Sequence, residues 1–593
     1  MAEFKNPNQQ GGQDTRSLMV FALLFVVLFI GLNVLRNKKP AEPVGAPTPA
    51  QRAAVPAAPP VSPIAPAPAP SAANAATPAV AAAAEQTTVV ENELYRIVFT
   101  NRGAQVKSWI LKKYKDDAGK PLDLANTQGS AVAGLPLSVF TYDATLRNGL
   151  NSVLYVPSAT GMQEAPAAIE FKYAGNGVTA RKTFHFDHSY VLRADVEVTQ
   201  NGVPVETKLA WPGGFGDVVD AKHYSSINLD FSQNGKAAHS AAKNVAGGGT
   251  MHGEFDWAGV SDSYFAAIFL PDSPAQTSVV TLHDTVQVPR DPKDPSKTSP
   301  VSIIGAAVGS SDGRGMRVYV GPKSIDVLKS VHAATPEGTL TGPSIEPIID
   351  FGFWGIIAKP LFYALRWVQQ HIVSNWGWAI VVLTILLNIL LLPTRITMMK
   401  SALKMQRIQP QIKAVQEKYK KYKMNDPARM DMNKEMQALY KENNVNPFGG
   451  CLPTLLQLPI LIAFYSMLAH VTELRQAHWL WLPDLSAPDP LHILPILFVV
   501  VMVLNQRMTP TPGMDPAQQK MMTWTMPIMY AFFFWNYASG LALYAFAGAL
   551  IGVLQQMALN RTELGKEMRA IAAKRAARKQ TKAGGGKVIQ ARR

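Results

Sequence analysis

Cysteine is nearly absent from this 593-residue chain, whose one residue of that kind is Cys451. A disulfide framework is therefore excluded, and any exported part must rest on its own hydrophobic core. Cys451 opens an apolar run and reads as a packing residue. Charged residues are sparse as well, at 17%. The chain also lacks HExxH, GxSxG and any glycine-rich nucleotide loop, the short signatures of metalloprotease, serine-hydrolase and nucleotide chemistry. Seven of its eleven histidines (His185, His188, His223, His239, His252, His283 and His332) are scattered through one stretch without metal-ligand spacing. Such residues are surface or packing groups, and no cofactor and no metal site is expected.

What is present is apolar sequence in blocks. Residues 18–35, 376–393, 451–472, 491–505, 521–537 and 540–559 are each nearly free of charge. A spanning helix needs roughly 20 apolar residues, so these read as six transmembrane helices, the fourth and fifth being short. The basic residues orient them. Residues 395–446 hold 12 Lys/Arg against 5 Asp/Glu, and residues 560–593 hold 11 against 2, although the whole chain is only +15. The positive-inside rule places both segments in the cytoplasm. Counting back puts the N-terminus (1–17) in the cytoplasm too, and residues of about 36–375 outside it. Arg36, Lys38 and Lys39 oppose this orientation and are outnumbered.

Residues 18–35 are too long for the core of a signal peptide and read as an uncleaved anchor. Residues 36–84 are rich in proline and alanine, a semi-stiff tether. From there the period becomes two. Leu192, Ala194, Val196 and Val198 alternate with Arg193, Asp195, Glu197 and Thr199, the mark of a strand with one buried face. Similar runs separated by turn clusters recur up to about residue 345, and the economical reading of 85–345 is a β-sandwich. Residues 351–373 are amphipathic, with Ile357, Leu361, Ala364, Val368 and Ile372 at helical spacing. Flanked by Trp354, Trp367, Trp376 and Trp378, this segment reads as an interfacial helix on the outer surface.

The cytoplasmic segment 395–446 reads as a helical hairpin. Met405, Ile408, Ile412, Val415, Tyr419 and Tyr422 form one seam, and Met432, Met436 and Leu439 return it. Asp426 with Pro427 starts the second helix, and Pro410 is expected to kink or break the first. Met398, Met399, Met424 and Met430 supply an adaptable contact surface or a loose core.

The second span carries a polar stripe. Thr384, Asn388 and Arg395 fall within roughly 40° of one another on a helix of about 100° per residue. One reading has Thr384 bonding its own backbone, Asn388 bonding a neighbouring helix and Arg395 reaching the headgroups. The other has the stripe facing a wet cavity within the bilayer, joined by Gln457, Ser466 and Tyr544 from other spans.

Several stretches carry a resemblance in matching order along the chain: FDWAGVSDSYFAAIFLP (255–271), VYVGPK (318–323), KPLFYAL (359–365), NWGWAIVVLT (375–384), KMQRIQPQIK (404–413), MQALYKENNVNPFGGCLPTLLQLPI (436–460), TELRQA (472–477), DPAQQKMM (515–522) and ASGLALY (538–544). On these the sequence resembles the YidC/Oxa/Alb family of membrane protein insertases, in the Gram-negative form with a large periplasmic domain. The resemblance implies a polytopic α-helical inner-membrane protein of six transmembrane helices with a periplasmic β-sandwich and a cytoplasmic helical hairpin. The transmembrane helices would be 18–35, 376–394, 451–472, 491–506, 521–537 and 540–559, with a periplasmic loop at 473–490, a cytoplasmic loop at 507–520 and a basic cytoplasmic tail at 560–593. It also implies a hydrophilic groove open to cytoplasm and lipid, in which Thr384 and Tyr544 match family positions. Where the family usually has a groove arginine this chain has Asn388, while Arg395 shares its face about 10 Å nearer the cytoplasm, from seven residues at about 1.5 Å each. Implied partners are nascent membrane proteins, the lipid bilayer and the Sec translocon.

Two rivals are weighed. A transporter predicts an inverted repeat among the spans, and none is visible. A membrane-anchored carbohydrate-active or carbohydrate-binding protein predicts paired carboxylates in a cleft of the sandwich. The tail has three readings: a solvated end, an anchor on anionic lipid, or a salt-sensitive contact with ribosomal RNA through Lys574, Arg575, Arg578 and Lys579, without sequence-specific nucleic-acid recognition.

Overall fold

The computed structural model describes residues 79–584 apart from 117, 219–223, 225, 292–293, 312–314, 336, 423–425, 446–451 and 510–515. The expected N-terminal segment, the first span, the tether as far as residue 78, Cys451 and Met424 lie outside the described residues. The chain divides into two compact units, one mainly of strands up to Asp350 and one of helices from Phe351 onward.

The strand unit contains three sheets among the described residues. The first runs in the order Pro121–Asp123, Gln105–Lys115, Tyr95–Thr100, Thr87–Glu91 and Gly161–Glu164. The largest has ten strands, and its centre is Phe265–Pro271, Met316–Pro322, Val191–Gln200 and Val178–Phe186, all antiparallel neighbours. The third is built on the long hairpin Thr277–Asp291 with Asp294–Ser310. Alternation explains the burial: Leu192, Ala194 and Val198 point inward and Arg193 and Glu197 outward along one strand.

The same alternation puts a lysine in the core. Lys182 shares the inner face with Ala180, Phe184 and Phe186, and it is fully buried. Its ammonium donates to the carbonyls of Gly103, Ala104 and Leu137 at 3.1, 2.6 and 2.7 Å. Burial pushes its pKa down to about 7. One side chain thus closes backbone acceptors from two separate segments, which would otherwise be left unsatisfied.

In the helical unit we label α1 Gly355–His371, α2 Trp376–Leu390, α3 Leu392–Lys418, α4 Ala428–Glu442, α5 Leu452–His470, α6 Ile493–Met508, α7 Pro516–Trp535, α8 Ser539–Arg561 and α9 Glu563–Gly584. Among the described residues, α8 alone is long and apolar enough to cross a membrane by itself. Residues Gln457–Leu468 and α6 are shorter apolar stretches, and α1 with α2 forms an apolar pair bent by 119°.

The boundaries follow from particular side chains. Asn375 caps α2, its carboxamide oxygen accepting from the Gly377 and Trp378 amides. The same side chain donates to the His478 carbonyl at 2.8 Å, so it also ties down the loop before α6. Gly377 is required there, because a Cβ would stand 2.2 Å from Cγ of the buried Trp479. At its other end α2 stops at Leu390, and α3 begins two residues later with Pro393 in its first turn, where a missing amide costs nothing.

Two expectations change here. Pro410 does not break α3, which continues to Lys418. The basic tail is not a free end at its start: the first turns of α9 fold back along α3. Met568 is buried with Met399 and Leu403, and Ala402, Leu559, Leu564 and Ile571 pack around them. Gln406 donates to the Met568 carbonyl at 3.2 Å and Arg407 pairs with Glu567 at 2.5 Å. The corner is made by Thr562, whose hydroxyl donates to the Leu559 carbonyl, and by Gly565, where a Cβ would meet the Leu559 oxygen at 2.4 Å. Further along α3, Ile408 and Ile412 pack with Met436 and Leu439 of the returning helix and with Val445 beyond its end. Asp426 caps that helix through the Ala428 amide at 2.9 Å.

Candidate functional site

Helix α8 presents Gly540, Tyr544, Gly548 and Gly552 at a spacing of four, so they share one slowly drifting face. Gly548 and Gly552 form a small-xxx-small pair, which lets helix backbones approach closely. The polar stripe of α2 and α3 lies against that face. A Cβ on Gly548 would stand 3.8 Å from Cγ2 of Thr384 and 4.0 Å from Nδ2 of Asn388. One turn on, a Cβ on Gly552 would stand 3.2 Å from Nη1 of Arg395 and 3.1 Å from Nδ2 of Asn505 on α6. Four positions apart on one helix, two glycines thus make room for an amide and a guanidinium.

The stripe is not uniform along its length. Thr384 is fully buried and its hydroxyl donates to the Ile380 carbonyl at 2.6 Å. Asn388 is 8% exposed, and its amide donates to the Thr384 carbonyl at 2.9 Å. Each therefore spends a donor on its own helix. Gln555 of α8 reaches across to the Asn388 carbonyl at 3.1 Å. The expectation of an open wet cavity at these two residues does not fit this closed packing, in which the face of α8 around Gly548 covers them. Arg395 differs. It is half-buried, and it has no carboxylate partner among the described residues.

The other expected site residues divide. Tyr544 is buried and stacks on Phe464 of α5, with ring centroids 4.2 Å apart. Gln457 is seven residues from Phe464, hence on nearly the same face of α5, and it is exposed. Ser466 lies nine residues from Gln457, which is about half a turn away on an ideal helix. Its hydroxyl donates instead to the Phe351 carbonyl at 2.7 Å. Gln457 and Ser466 therefore do not line one surface together.

Of the methionines, Met399 is buried under α9 and is not an available contact surface. Met398 is half-buried and Met430 is 65% exposed. In the tail, Lys574 is exposed, and the side chains of Arg575, Arg578 and Lys579 lie outside the described residues. The sequence reading missed Gly548, Gly552, Asn505 and Gln555. The glycine pair carried a signal, its small-xxx-small spacing; the two amides carried none.

The helical unit also exposes many large apolar side chains. Ile528, Met529, Phe532 and Trp524 of α7 and Val500 and Leu504 of α6 are exposed. On α1, Ile356, Tyr363 and Trp367 are exposed, while Ala358, Leu361, Phe362, Leu365 and Val368 are buried. Surface of this extent suits lipid rather than water.

Comparison with known proteins follows the same division. Residues 367–567 match the family model described as 60Kd inner membrane protein, and residues 87–364 match the YidC periplasmic domain. A membrane protein insertase YidC from Geobacter metallireducens is 32% identical over 558 residues, covering 92% of this chain and 98% of that protein. The Pelobacter propionicus insertase YidC is 31% identical over 590 residues, covering 92% and 99%. Among solved structures, an active YidC insertase with its first transmembrane domain resolved aligns with 20% identity and a TM-score of 0.34, covering 82% of this chain and 95% of that one.

Proposed function

The chain belongs to the YidC family of membrane protein insertases, and from that membership we propose how its residues carry out insertion. Insertion is not covalent catalysis. The task is to bring the polar flank of a nascent inner-membrane protein into the bilayer and to release its apolar segment to lipid. A charge at the bilayer centre costs about 2.5–3.5 kcal/mol on insertion scales. A pre-placed guanidinium lowers that cost for a carboxylate, since a hydrogen bond to a charged group contributes about 1.5–3 kcal/mol.

The observation that carries the proposal is Arg395, half-buried beside Gly552 and Asn505 with no carboxylate partner among the described residues. We take it as the group that receives acidic flanks of clients, at the cytoplasmic end of the seam between α2 and α8. Thr384, Asn388 and Tyr544 line the inner continuation of that seam and become accessible when α8 moves off α2. Gln457 extends the polar face along α5. The apolar segment then partitions along exposed α6 and α7 side chains, driven by burial at about 25 cal/mol per Å².

In this account the membrane part has six spans, both termini are cytoplasmic and the large domain is periplasmic. Helices α3 and α4 are the cytoplasmic hairpin that meets clients, through Met398 and Met430 among the described residues. The distal tail, beyond the part of α9 that packs on α3, contacts the ribosome electrostatically, and the chain works alone or beside the Sec translocon. A photocrosslinking series tests the groove. With a stalled nascent membrane protein, probes at positions 395 and 457 should capture the client, and one at 466 should not. Capture at 466 but not 395 would remove the basis of the proposal.

A further inference from the structure

The strand unit holds a second uncompensated guanidinium, in a cleft unrelated to the seam. Arg193 and Arg317 stand directly opposite each other on the antiparallel strands Val191–Gln200 and Met316–Pro322. Like charges at opposed positions repel, so such a pair calls for compensation. The compensation is lopsided. Asp272 pairs with Arg193 at 2.7 Å and Asp195 approaches the same side chain at 3.4 Å. Arg317 has no carboxylate within pairing distance among the described residues. One of its terminal nitrogens donates to the His332 carbonyl at 2.8 Å, which fixes the plane of the guanidinium. Its Nε is buried and has no acceptor. Both arginines and Asp272 line a cavity of about 400 Å³, bounded on its other side by Ala334, Gly338 and Leu340.

From this arrangement we propose that the cleft binds a carboxylate, with Arg317 as the receiving group. The charge count selects the ligand. Asp272 occupies the cavity wall and Asp195 lies beside Arg193, so a phosphate dianion would carry its second charge against carboxylates, whereas a monoanion can sit on Arg317, the guanidinium that neither carboxylate pairs. The volume admits more than a bare carboxylate, and the exposed Leu340 offers an apolar edge beside the charge. An acidic side chain of a polypeptide, with the stem that carries it, fits that combination.

Titration of the full-length protein in detergent tests the assignment. The probes are a fluorescent peptide of three glutamates, its glutamine counterpart, sodium acetate and sodium phosphate. The glutamate peptide should bind, the glutamine peptide should not, and phosphate should compete no better than acetate at equal ionic strength. Acetate competing as well as an unlabelled copy of the glutamate peptide would overturn the polypeptide assignment and leave a site for a free small carboxylate. Arg317→Gln should weaken the peptide at least tenfold and Arg317→Lys by less, with thermal unfolding midpoints confirming that both variants fold. Asp272→Asn should raise phosphate affinity at least tenfold, a change that a purely structural ion pair would not produce. Peptide binding unaffected by Arg317→Gln, or phosphate preferred in the parent protein, would overturn the proposal.

Discussion

Substituting Gly377 by alanine sets two effects of opposite sign against each other, and the structure decides between them. Alanine in place of glycine inside a helix is worth about 1 kcal/mol in favour of folding. At this position, however, the new Cβ would stand 2.2, 2.3 and 2.6 Å from Cγ, Cδ1 and Cβ of Trp479. Carbon contacts settle at about 3.5–4.0 Å, so the indole must retreat by more than an ångström. It has little freedom to do so. Its backbone exchanges hydrogen bonds with Leu482 at 2.9 and 2.8 Å, and its ring lies between Trp378 and Trp481 with centroids 5.5 and 5.6 Å away. Forcing extra volume into such packing costs about 1–3 kcal/mol. Gly377→Ala should therefore destabilise the helical unit by up to about 2 kcal/mol in denaturant titrations in detergent. In a Trp479→Ala background the clash is gone, and the same change should become neutral or stabilising. A Gly377→Ala protein more stable than its parent, with Trp479 intact, would refute the reasoning.

Other expectations follow from single contacts. Burial alone would lower the pKa of His239, but its 2.8 Å hydrogen bond to Asp230 and the charges of Asp230 and Asp350 outweigh burial and the opposing Lys323, so the pKa is raised. A raised folded value adds stability below the unfolded pKa of about 6.5 that is lost as pH rises through the folded value; thermal melts across that window should slope downward, and His239→Asn should flatten them. Met568→Asp places a charge at a buried contact and should free α9, seen as faster hydrogen exchange in residues 395–407, whereas deleting 574–593 should leave that protection intact and weaken ribosome co-sedimentation at low salt. Gly552→Ala meets only the ends of Arg395 and Asn505 and should be tolerated, while Gly552→Leu should displace Arg395 and reduce insertion in reconstituted vesicles.

How much of this was legible beforehand depends on whether a feature is local. The Asp426 cap, the alternation around Leu192 and the α3 seam through Ile408 and Ile412 are set by neighbours in sequence, and they were readable there. The break that Pro410 offered does not occur, because a proline removes one hydrogen bond, which the rest of a 27-residue helix outweighs. The fold-back of α9 onto Met399 was hidden behind its charge: Leu564, Met568 and Ile571 repeat at spacings of four and three, an apolar stripe easily overlooked among lysines and arginines. At the site, Thr384, Asn388 and Arg395 share a face as the spacing demands. What covers Thr384 and Asn388 is the face of α8 around Gly548, some 160 residues away, which no local pattern connects to α2. Ser466 was separable from Gln457 by angle alone, since a nine-residue step is half a turn. The burial of Lys182 was also written in the alternation, yet its three carbonyl acceptors come from distant loops.

The central claim is that Arg395 supplies the charge that receives a client's acidic flank. The direct measurement is insertion of a single-span client into vesicles reconstituted with the protein, in a charge-exchange design. The parent should insert a client with aspartate flanks efficiently, and Arg395→Glu should insert it several-fold less. The same variant should recover when the flanking aspartates are changed to lysine, and Arg395→Lys should retain most activity with the acidic client. Equal insertion of acidic and basic clients by parent and Arg395→Glu alike would contradict the account.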